Sequence, residues 1–267
     1  GGYRLTGQWP YVSGVDQCDW LLLSAFDPEA PEKGARHSLT FLIPRGDVAD
    51  VLDDWHVLGL RGTGSKTVVL DNLFVPAHRA LNFWQYDEAP PPGAAANPGA
   101  LFQGIPRIPI FAMTVAAPAV GIALTAADAL KERLAGRRSA LMTNSATDNA
   151  PAQIVLGNAI DRAQAARTLL LDAARDFQRK AEAGHVFRVE DRTFYRLRAS
   201  EVLRMATDVV LDVFAAGGTG AMFDRSPLQR MLRDALAIRS HVVLDHDSAA
   251  ENVGRLSLGI DPKPPYN

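Results

Sequence analysis

Three short stretches of this sequence hold residues whose types and spacing could do chemistry. The first is Trp9-Pro10-Tyr11-Val12-Ser13-Gly14. Aromatics followed by a hydroxyl and a glycine could press a flat ligand and offer Ser13 to its edge. The plainer reading is a strand end running into a turn, and residue types alone do not displace it. The second is Gly59-Leu60-Arg61-Gly62-Thr63-Gly64-Ser65. Glycines let backbone approach a ligand, and their N–H groups can face an anion. Between strands, however, such a loop lacks the strand-to-helix setting of a dinucleotide fingerprint. The third is Ala215-Ala216-Gly217-Gly218-Thr219-Gly220, followed by Arg233-Asp234-Ala235 and then His241. On its own it reads as a turn between helices. An imidazole such as His241 can trade a proton near neutral pH. Its plainer reading is a half-buried histidine held by a neighbour. One Glu-x-x-His pair, Glu182 and His185, has the spacing of a di-iron ligand, but Gly184 interrupts it and no second pair follows. No metal site is expected.

The elements that would carry these residues fall into two parts. Residues 1–84 read as β structure: Trp20–Phe26 and Ser38–Pro44 are strand-like runs, and Asp71-Asn72 is a turn signal between Thr67–Leu70 and Leu73–Pro76. A small barrel or sandwich is expected. Residues 85–104 are rich in Pro, Ala and Gly and read as a loop or linker. Residues 105–267 read as four long helices, hence an antiparallel bundle. The first spans about Ile108–Leu134. The second follows Pro151 with an alanine-rich stripe. The third spans about Asp191–Phe214, with a left-handed cap expected at Gly217-Gly218. The fourth opens at Ser226-Pro227-Leu228-Gln229, a capping-box pattern. Its stripe of Leu228, Met231, Leu232, Ala235 and Ile238 would carry His241 near the edge of the buried face.

Bulk properties narrow the function classes. A formal net charge of −2 gives no footing for nucleic acid or an anionic membrane. The longest apolar stretch, Ile108 to Leu130, is Ala-rich and holds two prolines and an acid, unlike a strongly apolar span of about 20 residues. The single cysteine, Cys18, cannot pair within the chain, which suits a reducing cytoplasm, and it is expected to be buried. The chain starts without Met inside a strand-like run, as a chain lacking its upstream part would.

Taken in order, the three stretches resemble the acyl-CoA dehydrogenase superfamily over nearly the whole chain. Tyr11-Val12-Ser13-Gly14 is similar to its flavin-contacting segment. Gly217-Gly218-Thr219-Gly220 with Arg233-Asp234-Ala235 is similar to its Gly-Gly-x-Gly then Arg-Asp-Ala pattern. The resemblance implies an α+β fold: a middle β-barrel or sandwich domain, then a C-terminal four-helix bundle, with the N-terminal helical domain absent. The dehydrogenases often place a carboxylate base just after Arg-Asp-Ala, where this chain has Ser240-His241-Val242. The closer resemblance is to the two-component flavin monooxygenase branch. It rests on Gly7 to Gly14, on Trp55 to Ser65, and on Asp234 with His241 seven residues on.

That branch implies reduced flavin from a separate reductase, O2, a flavin C4a-hydroperoxide and a small aromatic or heteroatom-bearing substrate. Catalytic roles fall to Ser13, beside flavin N5, and to His241, which would deprotonate a phenol or hold the peroxide. Flavin contacts fall to Tyr11, Val12, Ser13, Gly217, Gly218 and Thr219, the glycine loop often meeting a neighbouring subunit's flavin. That implies a homotetramer. Arg133 and Arg137 stand where the dehydrogenases carry an Arg-x-Phe-Gly; without the Phe they suit a single phosphate, as in FMN, with FAD the alternative. Two other functions stay open: an FAD-dependent acyl-CoA dehydrogenase, and a non-catalytic assembly protein keeping the fold.

Overall fold

A computed structural model describes residues 1–26, 37–86, 91–97, 105–136 and 149–263. The chain divides into two compact units, Gly1–Ile105 and Pro106–Asn267.

Among its described residues the first unit holds six strands: β1 (Gly2–Val12), β2 (Trp20–Phe26), β3 (Ser38–Pro44), β4 (Asp50–Leu52), β5 (Lys66–Pro76) and β6 (Ala80–Leu81). They form two three-stranded antiparallel sheets, ordered β1-β5-β4 and β2-β3-β6. Alternate residues point to one shared core. It contains Leu5, Leu21, Leu23, Phe41, Ile43, Val68 and Leu70, all nearly inaccessible to water. The indole of Trp9 ties the sheets by donating to the Ser24 carbonyl at 2.7 Å.

Asp71-Asn72 is not the expected turn, because β5 runs through it unbroken. The local signal marks a bulge instead. Leu5 pairs with Leu73 and Gly7 with Leu70, so β5 carries one extra residue there. Asn72 takes φ of 50°, and its N–H donates to the Thr6 hydroxyl at 3.0 Å. Asn tolerates the left-handed region better than most residues, so the same chemistry that serves a turn serves a bulge. Cys18 is exposed, contrary to the buried position expected for it.

Among its described residues the second unit holds five α-helices rather than the four long ones expected, because the expected fourth ends early and a short fifth follows: α1 (Arg107–Gly136), α2 (Ala150–Glu182), α3 (Val189–Ala216), α4 (Pro227–Arg239) and α5 (His246–Ser257). By length and composition α1 could cross a membrane. Its Ala112, Ala116, Ala119, Ala123 and Ala126 are fully buried, and it packs on α2, α3 and α4 as a core helix does. Small side chains on α1 and on the α2 stripe of Ala159, Ala163, Ala166 and Ala173 permit close approach. Helix α3 is the central element, with both its Val202–Val209–Val213 stripe and Leu203, Ala206 and Val210 buried.

Three helix ends differ from their sequence expectations. Gly217 stays right-handed at φ −63°, and Gly218 takes the positive φ of 62° with an extended ψ. Ser226 precedes Pro227 as expected but makes no side-chain cap bond. Helix α4 stops at Arg239, so His241 lies beyond it and its position does not follow the helical phase. Ser240 turns its hydroxyl back to the Ala237 carbonyl at 2.7 Å. His241 then adopts an extended backbone and caps a short 3-10 turn, Val242–Leu244, which leads into α5. Local side-chain-to-backbone bonds have outcompeted helix continuation.

Candidate functional site

In the β unit the chemistry gathers where β1 ends. Trp9 pairs with Val68 and Val12 with Lys66, so β1 carries one extra residue at its tip. Tyr11 supplies it, at φ 63°, and is 75% exposed. The bulge re-aims the side chains that follow, a common device beside functional sites. Tyr11 meets the edge of Trp55 at 6.2 Å between ring centres. Trp9, Tyr11, Ser13, Cys18, Trp20 and Leu22 line an open concavity on this face.

Behind Ser13 lies the glycine-rich loop. Leu60 and Gly64, both in the left-handed region, bracket a 3-10 turn at Arg61–Thr63. The N–H of Gly14 donates to the Thr63 carbonyl at 2.8 Å and fastens the loop to the end of β1. Three hydroxyls then stand in line. Ser13 Oγ lies 2.8 Å from Ser65 Oγ, and Ser65 Oγ lies 2.7 Å from Thr63 Oγ1. Thr63 donates to the Leu60 carbonyl at 2.9 Å, which also accepts the Trp55 indole N–H at 3.1 Å. Ser13 is exposed, whereas Ser65 is only 6% exposed. The sequence singles out this loop for its glycines and for its place in the Trp55-to-Ser65 motif, but gives its hydroxyls no role. The available signal was Thr63 and Ser65 two apart around a glycine.

In the helical unit the structure brings Arg133 to the glycine loop. Its Nε donates to the Gly217 carbonyl at 2.8 Å. Its Nη2 occupies the place a Cβ on Gly220 would take. A Cβ on Gly217 would stand 2.9 Å from that of Ala221 and 3.0 Å from Leu228 Cδ1. Internal packing therefore already disfavours a side chain at Gly217, whereas one at Gly220 would displace only the tip of Arg133, part of whose guanidinium lies inside the loop. Gly218 and Thr219 face outward. Arg137 lies outside the described residues.

His241 stands on its turn with its ring edge-on to Phe111 of α1, 5.3 Å between centres. Its Nδ1 accepts the Val243 N–H at 3.3 Å. The neutral ring then carries its proton on Nε2, the assignment that this bond dictates. Burial holds its pKa below the usual histidine value, so the neutral form prevails at pH 7. The carbonyl of the same Val243 accepts from Nε of Arg196 at 2.9 Å. Arg196, on α3, is 1% exposed and also reaches the Ser248 hydroxyl at 3.4 Å. Nothing in the sequence pattern distinguished this arginine from a surface one. His185, the other half of the Glu-x-x-His pair, bonds Asp191 at 2.9 Å near the start of α3.

The C-terminal domain profile of the acyl-CoA dehydrogenases matches residues 113–246. A pigment production hydroxylase from a Rhodococcus species is 34% identical over 99% of this chain and 67% of its own. The oxygenase component of an FADH2-dependent resorcinol hydroxylase from a Rhizobium species is 32% identical over 100% of this chain and 66% of its own. A Streptomyces protein, XiaF, solved in complex with FADH2 and glycerol, superposes with a TM-score of 0.88 at 29% identity, over 100% of this chain and 67% of its own. The chain thus spans about two thirds of the length of the curated relatives it matches. Its fold is acyl-CoA dehydrogenase-like, with helices and small sheets. Matched over its full length to such relatives, the chain belongs to the acyl-CoA dehydrogenase superfamily, among the oxygenase components of flavin-dependent monooxygenases.

Proposed function

We propose that the complete protein uses reduced flavin and O2 to place one oxygen atom on a small phenolic substrate. The observation that carries this reading is the full-length match to oxygenase components, one of them a resorcinol hydroxylase. In this reading residues 1–84 form the middle β-barrel or sandwich domain; much of the expected loop, 87–90 and 98–104, lies outside the described residues. Residues 105–267 form the C-terminal domain built on a four-helix bundle. The protein works in the cytoplasm as a homotetramer, and a separate reductase supplies the reduced flavin, FMN or FAD.

The residues present fit a flat heteroaromatic ring. Trp9, Tyr11 and Trp20 wall an open concavity, and the Ser13 hydroxyl stands exposed at its rim. When bound, reduced flavin supplies the activation of O2. Tyr11 and Val12 would lie against the ring and Ser13 at its edge, while Arg133, Gly217, Gly218 and Thr219 would serve a phosphate or a neighbouring subunit's flavin. His241 would act on the substrate. With Nδ1 occupied by the Val243 N–H, its free edge is an Nε2–H donor. A donor there stabilises a phenolate oxygen over a phenol, which makes the aromatic ring a better nucleophile toward electrophilic oxygen. The geometry favours this over direct proton removal, which would need an unprotonated Nε2. Water exclusion around the reacting atoms would fall to the complete protein.

The test uses the full-length protein with a flavin reductase, NAD(P)H and a panel of simple phenols under 18O2. Products gaining a single labelled oxygen are expected. Tight binding of oxidised FAD, reduced by an acyl-CoA, with no labelled product would overturn the assignment.

A further inference from the structure

Each hydroxyl has one proton to give, so a line of hydroxyls ending on a carbonyl has a fixed direction. The Leu60 carbonyl can only accept. At 2.9 Å from it, Thr63 Oγ1 must point its proton there, since two bare lone pairs at that distance would repel. Thr63 then has only acceptor capacity left for Ser65, 2.7 Å away, so Ser65 donates to Thr63. Ser65 in turn can only accept from Ser13, 2.8 Å away, so Ser13 donates inward. The consequence is at the exposed end: Ser13 Oγ turns lone pairs, not a proton, toward the concavity beside Tyr11 and Trp9.

Flavins differ at the ring nitrogen N5 by this property. The reduced ring carries a hydrogen there and donates; the oxidised ring has a bare lone pair and accepts. An outward acceptor rewards the first and repels the second. We infer that Thr63 and Ser65 are positioning residues that fix the polarity of Ser13 and so make this site select reduced over oxidised flavin. The inference rests on the reading above that Ser13 meets the flavin edge. It adds that the selectivity is set by two residues behind Ser13 that need not touch the cofactor. The relay is held on both sides. The Trp55 indole N–H on the Leu60 carbonyl keeps that acceptor in place, and the Gly14 N–H on the Thr63 carbonyl locks the two ends of the relay together.

The experiment is an anaerobic titration of the full-length protein with oxidised FMN and FAD and with the same flavins reduced by dithionite. The quantity read is the ratio of the two dissociation constants. Ser65→Ala frees the Ser13 proton to turn either way and should lower the preference for reduced flavin about threefold. Thr63→Val removes the acceptor for Ser65, so Ser65 donates to Ser13 and Ser13 donates outward. Polarity inverts, and the preference should fall about tenfold or more, the worth of roughly one hydrogen bond gained by one redox form and lost by the other. Thr63→Ser, which keeps the hydroxyl, should restore the ratio. A structural role alone would lower the melting temperature without moving that ratio. If Ser13→Ala moves the ratio while Ser65→Ala and Thr63→Val leave it unchanged, the relay is refuted and the flavin site stands. If Ser13→Ala also leaves it unchanged, Ser13 does not meet flavin and the site reading itself fails. Should Ser65→Ala not fold, Thr63→Val, which keeps the side-chain shape, decides the matter.

Discussion

Ser13 and His241 are oriented by the same device used with opposite sign. Behind Ser13 the last group of the relay is a carbonyl, which pulls every proton inward and leaves an acceptor outside. Behind His241 the partner is a backbone N–H, which occupies Nδ1 and leaves a donor outside. A backbone group that cannot change its role thus fixes the role of a side chain that can. The supports differ in reach. The Ser13 relay is closed within the loop Leu60–Ser65 and the end of β1. The His241 turn is held from a distant helix, by a buried arginine 47 residues away in sequence.

The largest expected effect would break the histidine side of this comparison. His241→Ala in the full-length enzyme should still bind reduced flavin but lose about 10²- to 10³-fold in substrate oxidation, the usual cost of one donor to a developing oxyanion. His241→Gln, still able to donate, should recover part of it. A loss of melting temperature with turnover intact would make His241 structural. Next comes the long-range support. Arg196→Met leaves the buried Val243 carbonyl without its guanidinium, and should cost about 1–3 kcal/mol in denaturant unfolding. A cost near zero would mean that the turn holds itself.

On the serine side the effect is smaller. Ser13→Ala should lower product formed per reduced flavin by about two- to tenfold, with hydrogen peroxide rising to match, in line with one net hydrogen bond. Unchanged coupling would remove Ser13 from the flavin edge. The smallest effect is in pH. Burial depresses the His241 pKa in the folded protein below the value near ~6.5 of the unfolded chain. Its contribution is therefore fully present above pH ~6.5 and is lost as pH falls below it, because the unfolded chain takes up a proton that the folded one resists. Melting temperatures from pH 7.5 to 5.5 should fall less steeply in His241→Gln than in the parent. Equal slopes would show that the buried ring does not couple to folding.

Much of the scaffold was legible in the sequence because it rests on periodicity. The alanine stripe of α2, the Pro227 start of α4 and the bounds of α1 follow from side-chain spacing and local caps. What was not legible depends on single local competitions or on partners far along the chain. The end of α4 was decided by the Ser240 hydroxyl and the His241 ring, each capturing a backbone group within three residues. Asp71-Asn72 carries turn chemistry, yet pairing with β1 before and after it kept β5 continuous. Of the proposed site, motif resemblance reached Tyr11, Ser13, Arg133, the glycine loop and His241. It spanned Thr63 and Ser65 without giving either a role, and it did not reach Arg196; the parts of all three are defined by contacts rather than by residue type.

Helix α1 raises a matter of timing. It is complete once the ribosome has passed Gly136, but its main partner α3 ends only at Ala216. At ordinary synthesis rates of about 5–20 residues per second, those roughly 80 residues take about 4–16 seconds. For that interval an apolar segment long enough to cross a bilayer stands without the surface that finally covers it. Newly made chains should therefore depend on chaperone capture in a way that the finished protein does not, and slowing translation between α1 and α3 should lower the soluble yield.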